Sequence, residues 1–178
     1  MKTIFYTVML FCIMLVSCNS KPTLENYFVE NTENKNFVQI DVSPSMLNLD
    51  KTKLSAGQNQ ALKSFDKMNV LLFKINEKNK PQFETERVKV NEILKDTLTY
   101  KQLMKFGSGK EGASVNFVGT DDHISEFVIY GSKSDTGFGI IRVLGKDMNP
   151  TSVLSILSAL KNSNIDVKEL KSITDMLK

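Results

Sequence analysis

Residues Ser114 to Leu144 read SVNFVGTDDHISEFVIYGSKSDTGFGIIRVL. Three segments within this stretch, Ser114 to Val118, Ile124 to Tyr130 and Phe138 to Leu144, are dense in β-branched and aromatic residues, which suit a pleated, half-buried surface. The gaps between them, Gly119-Thr120-Asp121-Asp122-His123 and Gly131 to Gly137, are short and built from turn formers. Gaps of that length join antiparallel neighbours, because a parallel pair needs a crossover of roughly a dozen residues. A three-strand antiparallel meander is therefore expected. Within its middle strand, Ile124, Glu126, Val128 and Tyr130 point to one face and Ser125, Phe127, Ile129 and Gly131 to the other. Burying an unpaired charge is costly, so Glu126 argues that Phe127 and Ile129 face the helices.

Upstream, Phe37-Val38-Gln39-Ile40-Asp41-Val42 alternates apolar and polar residues, predicting a half-buried strand stopped by Ser43-Pro44. Leu54, Ala61, Phe65 and Met68 follow helical spacing behind the capping residue Ser55, predicting a helix over Ser55 to Lys67. Val70 to Ile75 is a compact apolar run, read as a buried strand ended by the turn Asn76 to Pro81. A second helix is predicted over Gln82 to Lys95, with Phe83, Val90, Ile93 and Leu94 on one face and Glu84, Glu86, Arg87 and Glu92 on a solvated one. Leu98 to Phe106 fits neither template. Beyond Gly145, Asn149-Pro150 opens a helix with Val153, Ile156, Leu157 and Leu160 in one stripe, and a last helix carries Val167, Leu170, Ile173 and Leu177. This order predicts an α+β domain with one mixed, mainly antiparallel sheet, a three-strand C-terminal meander and helices packed chiefly on one face. The first two strands are expected to run parallel through a right-handed crossover.

The N-terminus carries an address. A basic start, Met1-Lys2, precedes the apolar run Ile4 to Val16 and the small residue Ser17 before Cys18, the layout of a secretory signal. The run is shorter than the roughly 20 apolar residues a membrane-spanning helix requires. Leu15-Val16-Ser17-Cys18 resembles a bacterial lipoprotein signal, which implies a diacylglyceryl thioether on Cys18 and cleavage just before it. Residues 1–17 are then a signal peptide, 18–36 the lipid attachment and a tether with one short docking helix at Leu24 to Val29, and 37–178 a single α+β domain. Asn19-Ser20-Lys21-Pro22 lacks an acidic pair of the kind that directs surface export. The expected residence is the cell envelope, at the outer membrane facing the periplasm.

Removing residues 1–17 leaves 161 of 178 residues and takes away one lysine and no acid, so the formal charge falls from +3 to +2. Nearly balanced charge, only two arginines (Arg87 and Arg142) and an envelope address argue against nucleic-acid binding. The chain has two cysteines, Cys12 in the leader and Cys18 at the lipid site, which leaves no thiol for a disulfide, a nucleophile or a zinc site. His123 is the only histidine.

Several motifs invite a catalytic reading. Gly107-Ser108-Gly109-Lys110-Glu111-Gly112 matches G-x-G-x-x-G, but dinucleotide binding needs a helix after the loop and here a strand is predicted. Ser64 to Lys67 and Ser158 to Lys161 match S-x-x-K without the S-D-N or K-T-G partners of penicillin-binding enzymes. Asp121-Asp122-His123 sits at a predicted hairpin tip, where neighbouring side chains diverge and no dry pocket shifts a pKa. No catalytic, cofactor-binding or metal-binding residue is nominated, and no cofactor or metal is expected.

With the element order in place, the chain resembles a family of Bacteroidota envelope lipoproteins known as domain of unknown function 4252. The resemblance lies in Phe37 to Leu47, Tyr100 to Met104, Ile124 to Ile129 and Gly139 to Lys146, and covers roughly residues 35–165. It implies a lipid-anchored periplasmic protein without an assigned reaction, in families associated with extracytoplasmic-function sigma factors. The expected function is a non-catalytic binding or envelope-assembly, stress-related module. Its partners are the membrane, through the lipid on Cys18, and an envelope protein. The alternative is an envelope hydrolase using carboxylates or His123.

Overall fold

The computed structural model describes residues 21–47, 54–108, 110–151 and 153. The expected signal peptide, Cys18, Ser158 to Lys161 and the last predicted helix lie outside the described residues. The element order is α1 (Leu24–Glu30), β1 (Phe37–Val42), a 3-10 turn (Pro44–Leu47), α2 (Ala56–Ser64), β2 (Phe65–Lys74), α3 (Lys80–Leu94), β3 (Lys101–Ser108), β4 (Glu111–Thr120), β5 (His123–Lys133) and β6 (Gly137–Met148). Pro150, Thr151 and Val153 are helical, at the start of the helix predicted after Asn149. The fold is α+β, with one six-stranded sheet in the order β1-β2-β6-β5-β4-β3.

Every pairing is antiparallel, including β1 with β2, where Phe37 lies opposite Phe73 and Val42 opposite Met68. The expected parallel crossover is absent for a geometric reason. β2 begins at the end of the sheet where β1 finishes, and the nine-residue helix α2 between them rises only about 14 Å. The true crossover is α3, fifteen residues long, which carries the chain from β2 to the far edge, where β3 begins. From there β3, β4, β5 and β6 run as a four-strand meander that closes against β2. The unassigned stretch Leu98 to Phe106 thus contains most of the meander's first strand.

The local signals explain the boundaries. The Ser55 hydroxyl accepts from the Gln58 backbone and the Gln58 side chain accepts from the Ser55 backbone, a capping box that starts α2. The helix ends at Ser64 rather than Lys67, because Phe65 and Met68 belong to β2 and are buried in the sheet. Thr23 caps α1 by accepting from the Asn26 amide at 3.2 Å. The β5–β6 turn closes on Gly137, whose φ of 129° is open only to glycine; a Cβ there would strike the Phe73 carbonyl.

Both faces of the sheet are buried. One cluster joins Met68, Val70, Leu72, Phe117, Phe127, Ile129, Ile141 and Val143 to Ala61 of α2 and to Val153. The other joins Leu71, Phe73, Val128, Tyr130, Phe138 and Ile140 to α1 and α3. Its centre is aromatic: Phe73 stacks on its cross-strand neighbour Phe138 at 5.5 Å, with Phe37 edge-on and Phe83 tilted against them. The packed structure starts at α1 rather than at residue 37, since Leu24, Tyr27 and Phe28 are buried in this second cluster.

Candidate functional site

The largest buried polar group lies under α1. Glu126 of β5 and Arg142 of β6 sit two residues out of cross-strand register, Glu126 being opposite Leu144 and Arg142 opposite Val128, on the face expected to meet solvent. Arg142 donates through Nε to Glu126 Oε1 at 2.6 Å and through Nη2 to Oε2 at 3.0 Å. The Phe28 ring of α1 lies 5.4 Å from the guanidinium carbon. Burial would depress the ionisation of Arg142, but the Glu126 carboxylate outweighs it and holds the guanidinium above its ordinary value. The same region ties the N-terminal helix down: the Leu24 amide donates to the Tyr100 hydroxyl at 3.1 Å, and the Tyr27 hydroxyl donates to Glu86 Oε2 at 2.9 Å. Burial and the Glu86 carboxylate push the Tyr27 phenol far above its usual range. Glu86, assigned by sequence to a solvated face, is therefore buried and also pairs with Lys89 at 2.9 Å. These carboxylates are taken up by partners within the domain, a structural arrangement rather than an open site.

The one signal that could have revealed the Glu126 pair was pattern. A lone acid in one apolar strand and a lone arginine in the next strand of a meander can meet only on the same sheet face.

The motifs resolve into hairpins and junctions. Gly107 to Gly112 is the β3–β4 turn, with Gly107 at φ 70°; Gly109 lies outside the described residues. Ser64 closes α2, its hydroxyl donating to the Ala61 carbonyl at 2.9 Å, while Lys67 is on β2. The S-x-x-K stretch therefore straddles a helix-strand junction. A cleft of about 70 Å³ between α3 and the β3–β4 hairpin, lined by Asn91, Lys105, Glu111, Ser114 and Tyr130 among others, is far smaller than the roughly 300 Å³ at which small-molecule sites begin. Among the described residues, no group of three or more His, Asp or Glu side chains is placed to hold a metal.

Asp121, Asp122 and His123 are all exposed at the β4–β5 turn. His123 Nδ1 lies 2.7 Å from Asp147 Oδ1, with each side chain 74% exposed. The hydrogen bond and charge of Asp147, with a smaller contribution from Asp122, raise the imidazole pKa above 6.5. A raised folded value means that the pair stabilises below the unfolded pKa and that this contribution disappears as pH rises through the folded one. Full exposure makes it small. NMR titration of this sole histidine should give a midpoint above 6.5 that moves back toward it in Asp147→Asn; an identical midpoint in both proteins would show that the pair is not formed. Asn suits the site, since Asp147 sits at φ 50°.

One surface remains. β3 is an edge strand, paired only with β4, and residues 101–107 are all exposed. Met104 lies opposite Val115 and Phe106 opposite Ala113, so both point to the face of the sheet that carries Phe117. Phe106 is 62% exposed and Met104 49%; Leu103 and, just before the strand, Leu98 are exposed as well. The register slips between Gln102 and Met104, a bulge that leaves Leu103 without a partner. Lys101, opposite Phe117, shares the face of Met104 and Phe106, and Lys105, opposite Ser114, points to the other. Lys101 Nζ rests 5.7 Å from the centre of the Phe117 ring.

No helix among the described residues is long and apolar enough to cross a membrane. Neither a curated protein nor a solved structure matches the chain. The model of the family described as domain of unknown function (DUF4252) matches residues 27–156, from the buried face of α1 to beyond β6, and the chain belongs to that family.

Proposed function

We propose that the chain is a lipid-anchored protein of the cell envelope, held by a diacylglyceryl group on Cys18 at the periplasmic face of the outer membrane, and that it works as a non-catalytic binding or assembly module. The observation that carries the binding reading is the division of side chains over the molecule. Glu126, Arg142, Glu86 and Tyr27 are buried and satisfied by one another or by Lys89, and the His123 and Asp147 pair stands in open solvent. The unsatisfied surface is apolar: Leu98, Leu103, Met104 and Phe106 lie exposed on and beside β3. Acid-base chemistry needs a group shielded from water and near a bound substrate, a condition that His123 does not meet. A protein acting by contact needs an exposed apolar patch.

The anchoring reading rests on Leu15-Val16-Ser17-Cys18 and on the absence of any other thiol after residue 17. Cys18→Ala should abolish lipidation and move the protein out of the membrane fraction. If the variant still sediments with membranes after a high-salt wash, the apolar leader is an uncleaved anchor and the lipoprotein reading fails.

A further inference from the structure

We propose that the β3 edge docks on the lipid bilayer itself, so that the anchored domain stands on the membrane with β3 and Leu98 against the headgroups and β1 away from them. This deepens the reading above and rests on lipidation of Cys18. The leash fixes the geometry. Cys18 and Leu24 are six residues apart, a span of at most about 21 Å. Leu24 is not a free end: it is fully buried, and its amide is bonded to the Tyr100 hydroxyl. Tyr100 immediately precedes β3. The lipid is therefore held within a short reach of the root of this edge, while β1 lies on the opposite edge of the sheet, with four strands between it and β3.

The chemistry of the edge suits an interface of lipid and water. Leu98, Leu103, Met104 and Phe106 offer apolar side chains, and Lys101 and Lys105 stand among them with no acidic residue from Thr97 to Lys110. Apolar and aromatic side chains interleaved with lysines are what the headgroup boundary of an anionic membrane takes up. A second copy of the chain fits poorly, because pairing two β3 strands brings Lys101 and Lys105 of each copy into one seam. Addition of a partner's strand is hindered too, since the bulge at Leu103 and the edge lysines are the devices that blunt a sheet edge. A bilayer requires no register, so neither device obstructs it.

The full lipidated protein provides the test. Once Cys18 is modified and the leader removed, any introduced cysteine is the only thiol. Met104→Cys, Phe106→Cys and the control Val38→Cys, each at an exposed position, are labelled with a polarity-sensitive fluorophore. The proteins are then reconstituted in phosphatidylethanolamine–phosphatidylglycerol vesicles containing brominated lipid. Labels at 104 and 106 should be quenched several-fold more strongly than at 38, and adding Lys101→Glu with Lys105→Glu should reduce that difference. Flotation of each labelled protein with the vesicles reports anchoring separately, and far-UV circular dichroism confirms the fold. Flotation with equal quenching at all positions overturns the docking proposal while the anchor stands, and leaves the edge open to a protein. Loss of flotation overturns both.

Discussion

Glu126→Ala should lower the stability of the folded domain by about 3–5 kcal/mol, the usual cost of breaking a buried ion pair from one side. The substitution leaves the Arg142 guanidinium beneath α1, only 6% exposed, against the Phe28 ring and without its bidentate acceptor. An orphaned buried charge is more costly than the lost attraction alone. Arg142→Met should have a comparable effect by stranding the carboxylate. The double variant, Glu126→Leu with Arg142→Met, fills the same space with apolar atoms beside Val128 and should recover most of the loss, because replacing both members of a buried pair is often neutral. Denaturant unfolding of the wild type, Glu126→Leu, Arg142→Met and the double variant gives the cycle. If the single variants cost less than about 1 kcal/mol and their effects add, the pair is wet and does not secure α1 to the sheet.

That pair marks where the sequence was legible and where it was not. The β4–β5–β6 meander followed from Gly119 to His123 and Gly131 to Gly137, because short turn-rich gaps leave antiparallel pairing as the only option. Helix α2 followed from Ser55 and α3 from its apolar spacing. The direction of β1 against β2 did not. A strand, a helix and a strand in order suggest a crossover, but only the end at which the second strand begins decides, and here β2 begins beside the end of β1. β3 was missed for a related reason: an edge strand exposed on both faces has no burial to impose alternation. The site followed the same logic. His123 was expected to be exposed from its turn context and is so placed, whereas Glu86 and Glu126 were expected on solvated faces and are buried, because charge alone does not show which partner folds onto it.

The face of β5 is the sharpest instance. One face was expected to be dry and the other wet, with Glu126 as the discriminator, yet Phe127 and Ile129 are buried in one core and Val128 and Tyr130 in the other. A strand buried on both sides loses its binary pattern, and a charge on it signals a partner rather than solvent. Phe127→Ala should therefore cost roughly 3–5 kcal/mol, since it empties a fully buried ring site opposite Phe117, enough to unfold a marginal domain. Val128→Ala should cost less only because fewer carbons are removed, not because its face is wet. Val128→Thr separates these two explanations. It keeps the shape and adds a hydroxyl, which costs about 1–3 kcal/mol in a dry core and almost nothing on an exposed strand position such as Val38. Unfolding midpoints for Phe127→Ala, Val128→Thr and Val38→Thr should fall in that order. A Val128→Thr protein as stable as Val38→Thr would mean that water reaches the face beneath α1 and α3, and the two-core description of the sheet would fail with it.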